Sequence, residues 1–512
     1  MRRMYRVQWT TALLVAFCAA SFAQQPTSTT SPGQNPELEE RVQALSQALA
    51  SAQQRLEDSQ REILKMQQTL ADLQAQMASS ASPATPLTAS TPPAPASQSS
   101  SIAKLEDREQ AVEAAVRTHD QTKVESASKY PLRVTGLVLF NGFLNRGVGD
   151  NLDLPEVALR PSTASASGSL GASFRQTVVG LQGFGPNVAG ARTSASVNFD
   201  FFSDVSYSNY GTSAGTVRMR TADITMTWPQ DVLQFGMSAP LISPLSPDSF
   251  ATVAEPSLAG AGNLWTWAPQ LRYAHQFSDP TSAHVQLEFG LWDSAAAGYN
   301  SNQLFRTSSP AENSELPALE TRLSYNNPHG NGLQVGLSGY YSRQSYPHYA
   351  GYSGTEHLDS WATAVDWRVP ITRQFELSGE GYRGRSLGGL GGGVYKDAIA
   401  GTDPITGFPD LHGLNAIGGW AQWKTRFSQV LESNVSIGLD DGFARDFRAV
   451  IQSPSASVTQ LRARNRMAVA NVIYRPRTYL IFSPEYRRIW SSQIIGSTST
   501  MNIFTLSVGY QF

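Results

Sequence analysis

In the closing stretch "NIFTLSVGYQF", every second residue is apolar: Phe504, Leu506, Val508, Tyr510 and Phe512. The residues between them, Ile503, Thr505, Ser507, Gly509 and Gln511, are mostly small or polar. A period of two marks a strand with one apolar and one wet face. The same sorting recurs upstream. In "ARTSASVNFDFF", Val197, Phe199 and Phe201 oppose Arg192, Ser194, Ser196, Asn198 and Asp200. In "AHVQLEFGLW", Val285, Leu287, Phe289 and Leu291 oppose His284, Gln286 and Glu288, and in "AIGGWAQWKTRF", Ile417, Ala421, Trp423 and Phe427 oppose Gln422, Lys424 and Arg426.

From residue 130 to residue 512 the alternation predicts sixteen strands. They fall at 132–144, 170–184, 191–203, 216–228, 231–238, 269–278, 283–293 and 317–325, then at 333–341, 359–368, 374–383, 415–427, 431–440, 460–474, 479–488 and 502–512. Short connections built from turn formers, such as "GPNVAG", "PQD", "NNPHGNG" and "RPRT", alternate with long ones at 145–169, 239–268, 294–316, 384–414 and 441–459. Even strand number, short turns at one end and long loops at the other predict an all-β transmembrane barrel of about 16 antiparallel strands, apolar outside and wet inside. The last strand closes such a barrel against the first, so it cannot fray. Sixteen strands leave an aqueous channel, whereas eight would be filled by their own side chains.

Before residue 130 the period changes. Val42, Leu49, Leu56, Ile63, Leu70 and Met77 occupy position a of a heptad, with Leu38, Leu45, Ala52, Met66 and Leu73 at d and only Ser59 breaking the seam. This predicts an N-terminal α-helical coiled coil over 37–77, and since coiled coils need partners, a homo-oligomer. A Pro/Ala/Ser/Thr tract at 78–101 reads as an extended linker, followed by a short helical segment at 102–129. Residues 1–23 have the Arg-containing start, apolar stretch and small cleavage-site residues of a secretory signal peptide, and 24–36 read as a disordered N-terminus. The single cysteine, Cys18, lies inside the signal, so the exported chain relies on neither disulfides nor thiolate chemistry.

Charge narrows the function. The net charge of −2 offers no basic field for nucleic acid, and a mean hydropathy of −0.26 on a finely alternating chain suits a wet lumen. From residue 130 onward 27 Lys and Arg face 28 Asp and Glu, so net charge selects no ion sign. Local pattern points to anions. "LRARNR" sets Arg462, Arg464 and Arg466 on one face by simple alternation, a guanidinium ladder suited to carboxylate or phosphate. Arg175, Arg192, Arg322, Arg368 and Arg426, with Asp200, Glu288 and Lys424, complete the expected pore lining. In "VRMR", Arg218 and Arg220 share the parity of Ile224 and Trp228, which requires a bulge or a position beyond the lipid band. No HExxH motif occurs, and the two GxSxG matches, "GTSAG" at 211–215 and "GRSLG" at 384–388, open no helical pattern as a nucleophile elbow requires, so no catalytic, metal or cofactor site is expected and the chain reads as a non-enzyme. A structural tether is the other reading, because the heptads span roughly 60 Å at about 1.5 Å per residue.

The long, weakly charged connection 239–268 resembles the constriction loop of general porins. That resemblance would make Asp248 and Glu255 eyelet carboxylates. The stretches "FRQTVVGLQGFGPNVAGARTSASVNFDFF" and "VRMRTADITMTWPQDVLQFGMSAPLISPLSPDS", with a heptad segment ahead of the barrel, resemble the DcaP-like trimeric porins. The resemblance implies a homotrimer in outer-membrane lipid that passes small, often anionic solutes, with the coiled coil in the periplasm near peptidoglycan. The Pro-rich linker departs from that plan. Phosphate-selective porins share the plan, but they would want a lumen lysine cluster, and only Lys396 and Lys424 lie beyond residue 130. The terminal Phe512 resembles the assembly signal of bacterial outer-membrane proteins, which the barrel-insertion machinery reads.

Overall fold

The computed structural model describes residues 131–162, 166–203, 215–279, 281–293, 308–328, 332–347, 355–452 and 461–512. The expected signal peptide, disordered start, coiled coil, linker and short helix lie outside the described residues.

The described chain forms one closed antiparallel sheet in which each stave pairs with its sequence neighbours, with two small two-stranded sheets (148–149 with 158–159, and 398–402 with 409–413) in its connections. The staves are β1 (Leu132–Arg146), β2 (Gly168–Ser173 continued by Val178–Val188), β3 (Ala191–Asp200), β4 (Arg218–Thr227), β5 (Asp231–Ser238) and β6 (Ala268–Gln276). Next come β7 (His284–Trp292), β8 (Ala318–Asn327), β9 (Leu333–Pro347), β10 (Thr355–Pro370) and β11 (Phe375–Arg385). The wall is completed by β12 (Asn415–Arg426), β13 (Leu431–Gly442), β14 (Arg462–Arg477), β15 (Leu480–Gln493) and β16 (Thr498–Gln511). Both halves of β2 pair with β1, so seventeen hydrogen-bonded segments make sixteen staves. Closure runs from Leu137↔Gln511 to Arg146↔Asn502, and the Phe512 and Gly136 backbones exchange hydrogen bonds of 3.0 and 2.9 Å.

The turns follow from local chemistry. Between β2 and β3, Ala189 and Gly190 take φ of 49° and 81°, the left-handed pair that a tight hairpin needs to match strand twist. Along β7, Val285, Phe289 and Leu291 are exposed while His284, Glu288 and Trp292 are buried, as the alternation predicts. The inner face is not uniformly wet. Trp420, Met467, Val469 and Ile489 point inward, where Leu245, Leu258 and Ala261 of the connection 239–267 cover them. Ile242 and Leu264 of the same connection pack with Trp292, Tyr340 and Tyr382 of the wall and with Leu387 and Leu390 of the connection after β11. Inward apolar patches on the wall are therefore seats for inward-folded connections.

Candidate functional site: the lumen

The connection 239–267 is held to the inner wall by hydrogen bonds around much of its circumference. The Leu241 N–H donates to Glu320 at 2.6 Å and the Ser243 hydroxyl to Glu380 at 2.7 Å. The Asp248 N–H donates to Gln422 at 2.7 Å, the Ala254 N–H to Gln176 at 3.0 Å, and Asn465 donates to the Gly260 carbonyl at 3.0 Å. Gly262, at φ 106°, passes so close to the wall that a Cβ would lie 2.2 Å from the Gly419 carbonyl. Only glycine fits such an approach. The Asp248 carboxylate meets Lys424 at 2.9 Å. Burial alone would raise its pKa, but Lys424 and the Gln422 amide hold it below the usual carboxylate range. Glu255, on the same connection, stands 4.0 Å from Arg218.

Two further connections fold toward this one. Tyr395 donates its hydroxyl proton to Glu156, and Asp440 of β13 accepts the Gly393 and Val394 N–H groups at 3.2 and 2.6 Å. Loss of water, and then the nearby Glu255 carboxylate, push Glu156 well above the usual carboxylate range. Burial pushes Lys396 down to about 7, with the Arg462 charge adding to the effect.

Most of the expected pore-lining charges are found in pairs. Asp200, fully buried, accepts two bonds from Arg218 at 3.0 and 2.7 Å and lies 3.6 Å from Arg220. A bulge opposite Asn198 and Phe199 resolves the parity of these two arginines and turns them inward over the Trp267 ring. Glu288 holds Arg272 at 2.6 Å and Arg322 at 2.9 Å, and Arg322 also forks onto Asp366 at 3.0 and 2.8 Å. Arg368 and Arg426 share Glu376 at 3.8 and 2.7 Å. Arg175 sits at the break in β2, 3.0 Å from Asp153 and over the Phe202 ring. Arg192 has the inward parity of Asp200 and is exposed near the short-turn end of β3.

The ladder expected in "LRARNR" is corrected by the structure. A register shift between Arg462 and Arg464 inserts one residue, so buried Arg462 and Ala463 are followed by Arg464 and Arg466 on the outer face. Arg464 stands opposite outward Asp441, and Arg466 opposite exposed Leu439. Only Arg462 belongs to the interior. Of the anchors, Gln422 lies on the inward face that alternation assigns it, whereas Glu320, Glu380 and Gln176 were not singled out from sequence. Their signal was there in part, since in "ALETRL" Glu320 alternates with Leu319 and Leu323 and is therefore inward-facing.

A sixteen-stranded antiparallel barrel with a connection seated across its inside defines a porin-type channel fold. No family model and no curated protein matches the sequence. Among solved structures, the outer membrane channel DcaP of Acinetobacter baumannii shares the fold, with a TM-score of 0.56 and 16% identity over 75% of this chain and 99% of that one. The anion-selective porin from Comamonas acidovorans aligns less closely, with a TM-score of 0.45 and 9% identity over 75% of this chain and 100% of that one. OmpF of Salmonella typhi gives 0.44 and 10% over 75% and 98%.

Proposed function

We propose that the chain is an outer-membrane porin that passes small hydrophilic solutes by passive diffusion and favours anions. One observation carries the preference. In the pairs at the short-turn mouth the guanidinium is turned to water and the carboxylate is shielded behind it: Arg368 is 46% exposed and Arg426 38%, against 10% for their shared Glu376. Arg475 is 36% exposed against 15% for Glu432. The pairs are near neutral in sum, but the field that a solute meets at close range is that of the arginines. The connection 239–267 narrows the passage, with Asp248 on Lys424 and Glu255 beside Arg218 setting its polar edge.

The long, shape-tolerant edge of arginines suits carboxylate or phosphate groups on organic solutes better than a single tight phosphate cage. An export signal and an apolar outer face support an outer-membrane location, and the heptads would supply a periplasmic coiled coil for a homotrimer in reach of peptidoglycan. The aromatic end of β16 is read by the assembly machinery. Purified protein in planar bilayers tests this reading. Stepwise conductance, with faster liposome swelling in a small monocarboxylate than in a neutral solute of equal size, is the expected result. Absence of conductance from correctly folded protein would overturn it and favour an anchoring role.

A further inference from the structure

The outer wall carries cations where a barrel should be apolar. On the side formed by β11 to β15, Arg383, Arg464, Arg466 and Arg488 face outward, Arg383 opposite exposed Ile417 and Arg488 opposite Ala468 and Asn502. Arg445, just beyond β13, joins them over the Phe443 ring that Arg383 also covers. Arg464 has Asp441 at 2.6 Å and Arg445 has buried Asp446 at 3.4 Å. Among the described residues, Arg383, Arg466 and Arg488 have no carboxylate within ion-pair distance. All lie toward the long-loop end, with Arg466 four residues into β14, about 10 Å below its start for a tilted strand.

Directly beneath Arg466 the wall is hollowed. Gly419, Ala421 and Ala468 leave a trough of about 530 Å³ between Ile437, Leu439 and Trp490. Arg488, opposite Ala468, reaches toward the long-loop end to stack over the Trp490 ring at 5.1 Å, beside the trough. A cationic rim above an apolar trough is the shape of a phosphorylated lipid: phosphate on guanidinium, acyl chain in the trough. A second copy of the wall fits less well, because the outward strand carboxylates among the described residues are Asp231, Asp359 and Asp441. The first lies at the short-turn end bonded to Tyr273 and His275, and the other two hold Arg343 and Arg464.

We infer that the β12–β15 face binds a phosphorylated lipid of the leaflet at the long-loop end, with Arg466 and Arg488 gripping its phosphate. The inference rests on the outer-membrane reading. Full-length protein reconstituted with a diphosphorylated glycolipid, or with the same lipid dephosphorylated, is examined by native mass spectrometry beside the R466Q/R488Q variant. Wild type should retain the phosphorylated lipid at least tenfold better than its dephosphorylated form, and the variant should lose that margin while keeping its heat-modifiable band and conductance. Equal retention of the two lipids, or a margin unchanged in the variant, overturns the assignment. Loss of the margin to millimolar inorganic phosphate overturns it as a lipid site, and a change of oligomer in the variant with lipid retention intact assigns the face to a second copy. Failure of wild-type conductance in the same preparation would count against the porin reading instead.

Discussion

Phe512 and Gln511 end the same strand and face opposite media. Phe512 lies outward over Gly136, a position where a Cβ would strike its ring, whereas Gln511 has the inward parity of Gly509. A charge on the lipid face costs about 2 to 4 kcal/mol at mid-membrane and under about 1 kcal/mol near the interface. Phe512→Asp should therefore reduce heat-modifiable barrel in outer-membrane fractions far more than Gln511→Asp, and a large gap would add recognition by the assembly machinery to the physical cost. Equal yields would contradict the assigned face. Within the lumen, burial separates residues that look alike in sequence. Arg322 is 4% exposed between two carboxylates, so Arg322→Met should destabilise the barrel by about 3 to 5 kcal/mol. Arg368→Gln, at an exposed pair, should cost under about 1 kcal/mol. Urea midpoints of the two refolded variants check the contrast.

At the scale of elements, the staves were legible because period-two patterning is all that a two-faced wall needs. All sixteen predicted strands are present, the second of them interrupted between Ser173 and Val178. The bulges were not legible. One inserted residue near Ala463 reverses the face of Arg464 and Arg466, and no local composition announces it. Nor could alternation say which inward residues seat a connection, since Trp420 and Met467 read as exceptions to a wet lumen until Leu258 covers them. The seat of 239–267 depends on backbone proximity at Gly262. Gly262→Val should lift this segment off β12 and β13, raising single-channel conductance without loss of the folded band. The junction of 150–160, 239–267 and 386–414 should respond to pH through Glu156. Its folded pKa is raised, so its contribution is fully present below the ordinary value of about 4.3 and is lost as pH rises through the higher folded value. Amide exchange at 388–395, corrected for intrinsic rate, should quicken with rising pH in the wild type and stay flat in Glu156→Gln.

For the whole molecule, a near-zero net charge conceals an ordered asymmetry. At the short-turn mouth Glu376 and Glu432 sit against the wall with Arg368, Arg426 and Arg475 toward the water, and the proposed anion preference rests on that edge despite a balance of 27 cations against 28 anions. The reversal potential of purified protein in a planar bilayer under a tenfold KCl gradient tests this arrangement. A potential of the sign for chloride preference is expected, moving toward zero when Arg368, Arg426 and Arg475 are together replaced by Gln. A cation-selective potential, or one that the triple replacement leaves unchanged, would contradict it.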